Sequence, residues 1–164
     1  MVSWIDNPKY KQWKKQVYNH QTKKMKARPA TDMCRAKTFC AGAKNIPRNL
    51  MPQIYNAKKF SRNIKRKFNI SSKKTTMKAR NLKPSQNEIN VNRVDDVIKG
   101  IKTKKMTKNP IVVSKDGYVV DGHHRWAAYK KLNPNKKLPV MMMNAPIKDA
   151  LGIAIAAGTD REKF

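Results

Sequence analysis

The run Asp121-Gly122-His123-His124-Arg125 brings together the groups that phosphate chemistry uses. It follows the β-branched stretch Tyr118-Val119-Val120 and precedes Trp126-Ala127-Ala128-Tyr129-Lys130-Lys131-Leu132, which has helix propensity, so it falls at a strand-to-helix turn. The first N–H groups of a helix lack partners within it, and the helix dipole is positive there, so the position favours an anion. Gly122 lets the backbone approach closely, and Arg125 can fork onto two phosphate oxygens. His123 and His124 titrate near neutrality and can donate to a phosphate or move a proton. Asp121 can hold the magnesium ion that accompanies phosphates. Read only as structure, the same residues are a tight turn, two capping imidazoles and an arginine paired with an acid, and spacing alone leaves the two readings level.

The elements that must position this turn are legible around it. Asn7-Pro8 marks a helix start, with Tyr10, Trp13 and Val17 at helical spacing. From Met25 to Arg48 no period is sustained and the stretch reads as loop. A second helix is expected from about Pro52 to Phe68, with Ile54, Ala57, Phe60, Ile64 and Phe68 on one side and Lys58, Lys59, Arg62, Lys65 and Arg66 on the others. Ser71-Ser72-Lys73-Lys74 reads as a polar break, and a strand is expected over Thr75 to Leu82. Asn90 or Asn92 can cap a helix carrying Val94, Val97, Ile98 and Ile101. Two β-branched runs, Ile111-Val112-Val113 and Tyr118-Val119-Val120, flank Lys115-Asp116-Gly117 as a hairpin. Leu138 to Met143 gives a further strand and Ile147 to Ala157 an apolar helix. The expected order from residue 75 on is β-α-β-β-α-β-α, an α+β fold. The organisation read from the sequence is a basic, partly helical N-terminal extension over 1–74 and a domain over 75–164.

Charge divides the chain the same way. Lys and Arg number 38 against 10 Asp and Glu in 164 residues, a formal net charge of +28. Residues 1–80 carry 22 basic and 2 acidic side chains, and the remaining residues carry 16 and 8. Lys23, Lys24, Lys26 and Arg28 form one basic run, and Arg62, Lys65, Arg66 and Lys67 another. Such runs repel one another in isolation and gain by displacing counterions from a polyanion, so nucleic acid is the expected partner. The few apolar groups in residues 1–30 predict poor order there without a partner. No run reaches the roughly 18 apolar residues of a membrane span, so no membrane partner is expected. Cys34 and Cys40 fit neither a redox pair nor a zinc knuckle.

Lys83-Pro84-Ser85-Gln86-Asn87-Glu88, the helix around Arg93-Val94, Asn109-Pro110-Ile111-Val112-Val113, Gly117 to Ala128 and Leu138-Pro139-Val140 together resemble the ParB/sulfiredoxin superfamily, in the order that family shows. The resemblance runs over roughly Thr75 to Met143. It implies a ParB/sulfiredoxin-like domain that places a nucleotide's phosphates on Gly122, His123, His124 and Arg125, with a nucleotide and magnesium as ligands. Sulfiredoxins carry their reactive cysteine where His123 stands, and partition proteins have Glu-Arg-Arg in place of His123-His124-Arg125. Free-serine kinases have the closest turn and a catalytic glutamate that Glu88 can match in register. Glu88, Asp121 and His123 are therefore the expected catalytic set, whether for phosphoryl transfer, nucleotide hydrolysis or nuclease chemistry. Many phage-encoded members carry this version of the turn, which implies a phage-type protein of the host cytoplasm or virion. The rival expectation is a non-catalytic phage structural or DNA-packaging accessory protein that uses the fold as a scaffold and contacts phage structural proteins.

Overall fold

The computed structural model describes residues 3–22, 50–85, 91–102 and 110–158. Lys23, Lys24, Lys26, Arg28, Cys34, Cys40, Glu88 and the whole stretch expected to be loop lie outside the described residues. Among the described residues, the α-helices and β-strands in chain order are α1 (Pro8–Thr22), α2 (Ala57–Phe68), β1 (Ser72–Lys78), β2 (Lys83–Pro84), α3 (Val91–Lys102), β3 (Ile111–Ser114), β4 (Tyr118–Asp121), α4 (His123–Leu132), β5 (Lys137–Met143) and α5 (Ile147–Ala157).

The strands form one mixed sheet in the order β1-β5-β3-β4-β2. β1 runs antiparallel to β5, β3 antiparallel to β4, and the pairs β3/β5 and β2/β4 are parallel. β3 sits at the centre and is buried at every position, which is why Ile111-Val112-Val113 reads as a continuous apolar run rather than an alternating one. Its side chains divide between two cores. Ile111 and Val113 join Val119, Val140, Leu138, Trp126 and Ala127 under α3 and α4. Val112 joins Val120, Met141 and Met143 under α2 and α5. Helices thus cover both faces, and the architecture is α+β as expected.

Val94, Ile111, Val113, Val119, Trp126, Ala127 and Val140 are buried in the first of these cores, with Val97, Ile98 and Ile101 packed partly buried against it. The second core draws on residues on both sides of the boundary expected at residue 74. Met51, Ile54, Ala57, Phe60 and Ile64 pack there with Leu151, Ile153 and Ala154 of α5. The boundary also falls inside β1, so among the described residues it separates no independent unit, and residues 50–74 belong to the domain. The polar stretch Ser72-Lys73-Lys74 opens β1 rather than breaking the chain, because β1 is an edge strand on which lysines can reach water.

Two further expectations change. The helix expected from Pro52 starts at Ala57, where the Asn56 side chain caps it by accepting from Lys59 N–H at 3.0 Å. Poor order over residues 1–30 does not hold for the described part: Trp4, Trp13 and Val17 pack against the second core. Trp13 Nε1 donates to the Leu50 carbonyl at 2.5 Å. The contact with α5 relies on Gly152, where a Cβ would lie 2.6 Å from both the Trp4 and Tyr10 rings.

Candidate functional site

The turn between β4 and α4 is built around a backbone only glycine adopts readily. Gly122 has φ +105° and caps α4, its carbonyl accepting the first helical bond from Trp126 N–H at 2.9 Å. A Cβ there would lie 3.1 Å from Arg125 Nη2 and 3.2 Å from Ile111 Cγ1. The guanidinium of Arg125 therefore lies against the Gly122 backbone at the start of its own helix.

This turn forms one wall of a cleft of about 230 Å³. Asp121, Gly122, His123, His124 and Arg125 all line it, so the five residues singled out by type and spacing meet in one place. The chain over residues 51–55 also lines it, and α3 contributes Arg93 and Val97. Arg93 adds a second guanidinium to the cleft, brought there by α3, which packs on α4. The strap over 51–55 is fastened to the turn by Ile54 N–H donating to Asp121 Oδ2 at 3.3 Å.

Asp121 is the sole carboxylate among the described residues lining the cleft. Burial pushes its pKa up to about 6, against the opposing pull of the Arg125 charge and the amides of Ile54 and Gly122. Burial also presses Arg125 down from its ordinary value, offset by Asp121 and Tyr129. A carboxyl group balanced near pH 6 beside a partly desolvated guanidinium can exchange a proton in the neutral range and can meet a cation brought in with phosphates.

His123 departs from its expected role. Its side chain is only 4% exposed and turns inward, where Nε2 accepts from Ser85 N–H at 3.0 Å. Burial, aided by the charge of His124, lowers its pKa to about 3. The imidazole is neutral in the physiological range and holds the chain directly after β2 to the turn, so moving a proton to substrate does not fit it. Its backbone amide stays part of the helix N-terminus. His124, half-buried, is the imidazole of the pair better placed to meet a ligand in the cleft.

The second basic run stands apart from this cleft. Arg62, Lys65, Arg66 and Lys67 are exposed on α2. Lys65 Nζ bonds Asn69 Oδ1 at 2.8 Å, Arg66 Nη2 bonds Asn63 Oδ1 at 3.3 Å, and Lys67 Nζ bonds the Ala157 carbonyl at 3.1 Å. These partners are neutral amide oxygens, which orient the cations without cancelling their charge. Three of the four also sit in the last turn of α2, where the dipole favours positive charge. Among the described residues no group of three or more His, Cys, Asp and Glu converges to hold a metal, and no helix is long and apolar enough to cross a membrane.

Compared by sequence, the chain matches no family model and no curated protein. Two solved structures are similar to part of it. The C2221 form of a Pnob8-like ParB-N domain is 17% identical, over 49% of this chain and 33% of that one, with a TM-score of 0.39. A pNOB8-like ParB N-domain is 18% identical over 49% and 30%, also with a TM-score of 0.39. The chain thus spans about a third of the length of the solved structures it matches.

Proposed function

We propose that the cleft at the start of α4 binds the phosphate of a nucleotide or nucleic acid. The observation that carries this reading is the Arg125 guanidinium folded over the Gly122 cap of α4, facing the same cleft as Arg93. Two guanidiniums, the amides of His123, His124 and Arg125, and the positive helix end give a planar fork and fixed donors suited to phosphate oxygens. The sequence resemblance supports the same assignment, since it places phosphate on this turn.

The residues also fit magnesium in a restricted way. Mg²⁺ is commonly held by one or two carboxylates plus phosphate oxygens, and Asp121 offers one carboxylate beside the phosphate position. When bound, the ion would neutralise phosphate charge. The chain's own part is to orient the phosphate with Arg125 and hold Asp121 in place through Ile54. Glu88 stays the proposed general base for any turnover.

A second reading rests on the exposed cationic face of α2: a phage structural or DNA-packaging accessory that grips nucleic acid without turnover, in virion or host cytoplasm. Thermal unfolding with a nucleotide panel and magnesium separates the two. The phosphate-cleft reading expects a saturable rise in Tm that Arg125→Lys diminishes by about 1.5–3 kcal/mol of binding, because lysine keeps the charge and loses the fork. No rise at millimolar nucleotide leaves the accessory reading standing.

A further inference from the structure

The cleft has an aromatic side that the phosphate reading does not use. Tyr55 lines it and is 49% exposed, one of few large apolar side chains in the described residues left so open. It is not on a wandering loop. Ile54, its neighbour, is buried in the core and ties its N–H to Asp121, while Asn56 caps α2 directly after it. The Tyr55 hydroxyl donates to Gln53 Oε1 at 3.1 Å. The backbone carrying the ring is thus anchored on both sides, next to Ile54, whose N–H bonds Asp121, with Val97 contributing apolar surface to the same cleft.

We infer that Tyr55 is a stacking platform for the base of a single nucleoside phosphate whose phosphate sits at the start of α4. The inference rests on the phosphate reading and adds the ligand class. A half-exposed ring held one peptide from the residue fastened to a phosphate turn matches the short reach from a base to its own 5′-phosphate. Aromatic faces stack on any base, so the platform confers preference for nucleotides over simple phosphates rather than for one base. Tyr55 and the strap lie outside the stretch that resembles the ParB/sulfiredoxin superfamily, so the platform is a property of this chain's own upstream segment.

The test is calorimetric titration of the full chain with nucleoside 5′-monophosphates and with ribose 5-phosphate, in the unmodified protein and in Tyr55→Ala, Tyr55→Phe and Arg125→Lys. The expected result is that nucleotides bind more tightly than ribose 5-phosphate, and that Tyr55→Ala weakens nucleotides by about 5- to 100-fold with ribose 5-phosphate unchanged. Tyr55→Phe, which keeps the ring and loses the Gln53 bond, should retain most of the nucleotide affinity. Equal affinity for both ligands, or indifference of nucleotide binding to Tyr55→Ala while Arg125→Lys weakens it, overturns the platform and leaves the phosphate site intact. Failure of the unmodified protein to bind either ligand overturns the phosphate reading itself, and the platform with it.

Discussion

Asp121 and His123 lie two residues apart, and burial drives their titrations in opposite directions. The Asp121 carboxyl, raised from 3.8 to about 6, keeps in the folded protein a proton that the unfolded chain releases. Its contribution to stability is therefore lost as pH rises through about 4 to 6. His123, lowered from 6.5 to about 3, refuses in the folded protein a proton that the unfolded chain takes up, so its contribution grows as pH rises over about 3 to 6.5. Each single-proton difference gives a slope of about 1.4 kcal/mol per pH unit, and between about pH 4 and 6 the two oppose. Asp121→Asn can keep an acceptor for Ile54 N–H while removing the first titration. Urea unfolding of that variant should show stability climbing across pH 4–6 where the parent is nearly flat. A parent that already climbs, unchanged by the substitution, would mean that Asp121 ionises at its ordinary value. The residue types of the turn were legible because a strand signal, Gly122 and Arg125 are adjacent in sequence. The inward turn of His123 was not, because its partner Ser85 is 38 residues away and gives no local sign.

At the scale of elements, local pattern served where it was strong. The Ile111–Asp121 hairpin, the helix after Gly122 and the apolar α5 stand within a residue or two of expectation. In the strap over residues 51–55, Ile54 falls in helical register with Ala57 and Phe60 and so reads as part of α2, and its link to Asp121 spans 67 residues, so the cleft's second wall shows only in the folded chain. The docking of α1 was missed for a related reason. The three aromatic rings Trp4, Tyr10 and Trp13 are sparse in a basic segment, and the glycine that admits two of them lies at residue 152. Gly152→Val should therefore force the rings apart and cost about 1–3 kcal/mol by overpacking, read by chemical denaturation, and it should expose α1 to proteolysis. Unchanged stability and unchanged protection of α1 would place these rings away from α5.

Across the whole molecule, the net charge of +28 acts together with the exposed face of α2. Binding to a DNA duplex should be independent of sequence, since phosphate contacts position a protein and carry no base information. If about 6 phosphates are engaged, the log–log slope of affinity against salt should be near −5. Replacing Arg62, Lys65 and Arg66 by alanine should make that slope shallower by about 1 per lost phosphate contact, while leaving nucleotide binding at the cleft unchanged. A salt-independent affinity, or a slope untouched by the triple substitution, would remove α2 from the nucleic-acid surface. Phosphate binding at the cleft can be read from the movement of backbone amide resonances as a nucleoside 5′-phosphate and magnesium are titrated into the full chain. Saturable shifts centred on His123, His124 and Arg125 are expected, with the same pattern reached at several-fold higher ligand concentration in Arg125→Lys. Shifts confined to α2, or none at millimolar ligand, would contradict binding at the cleft.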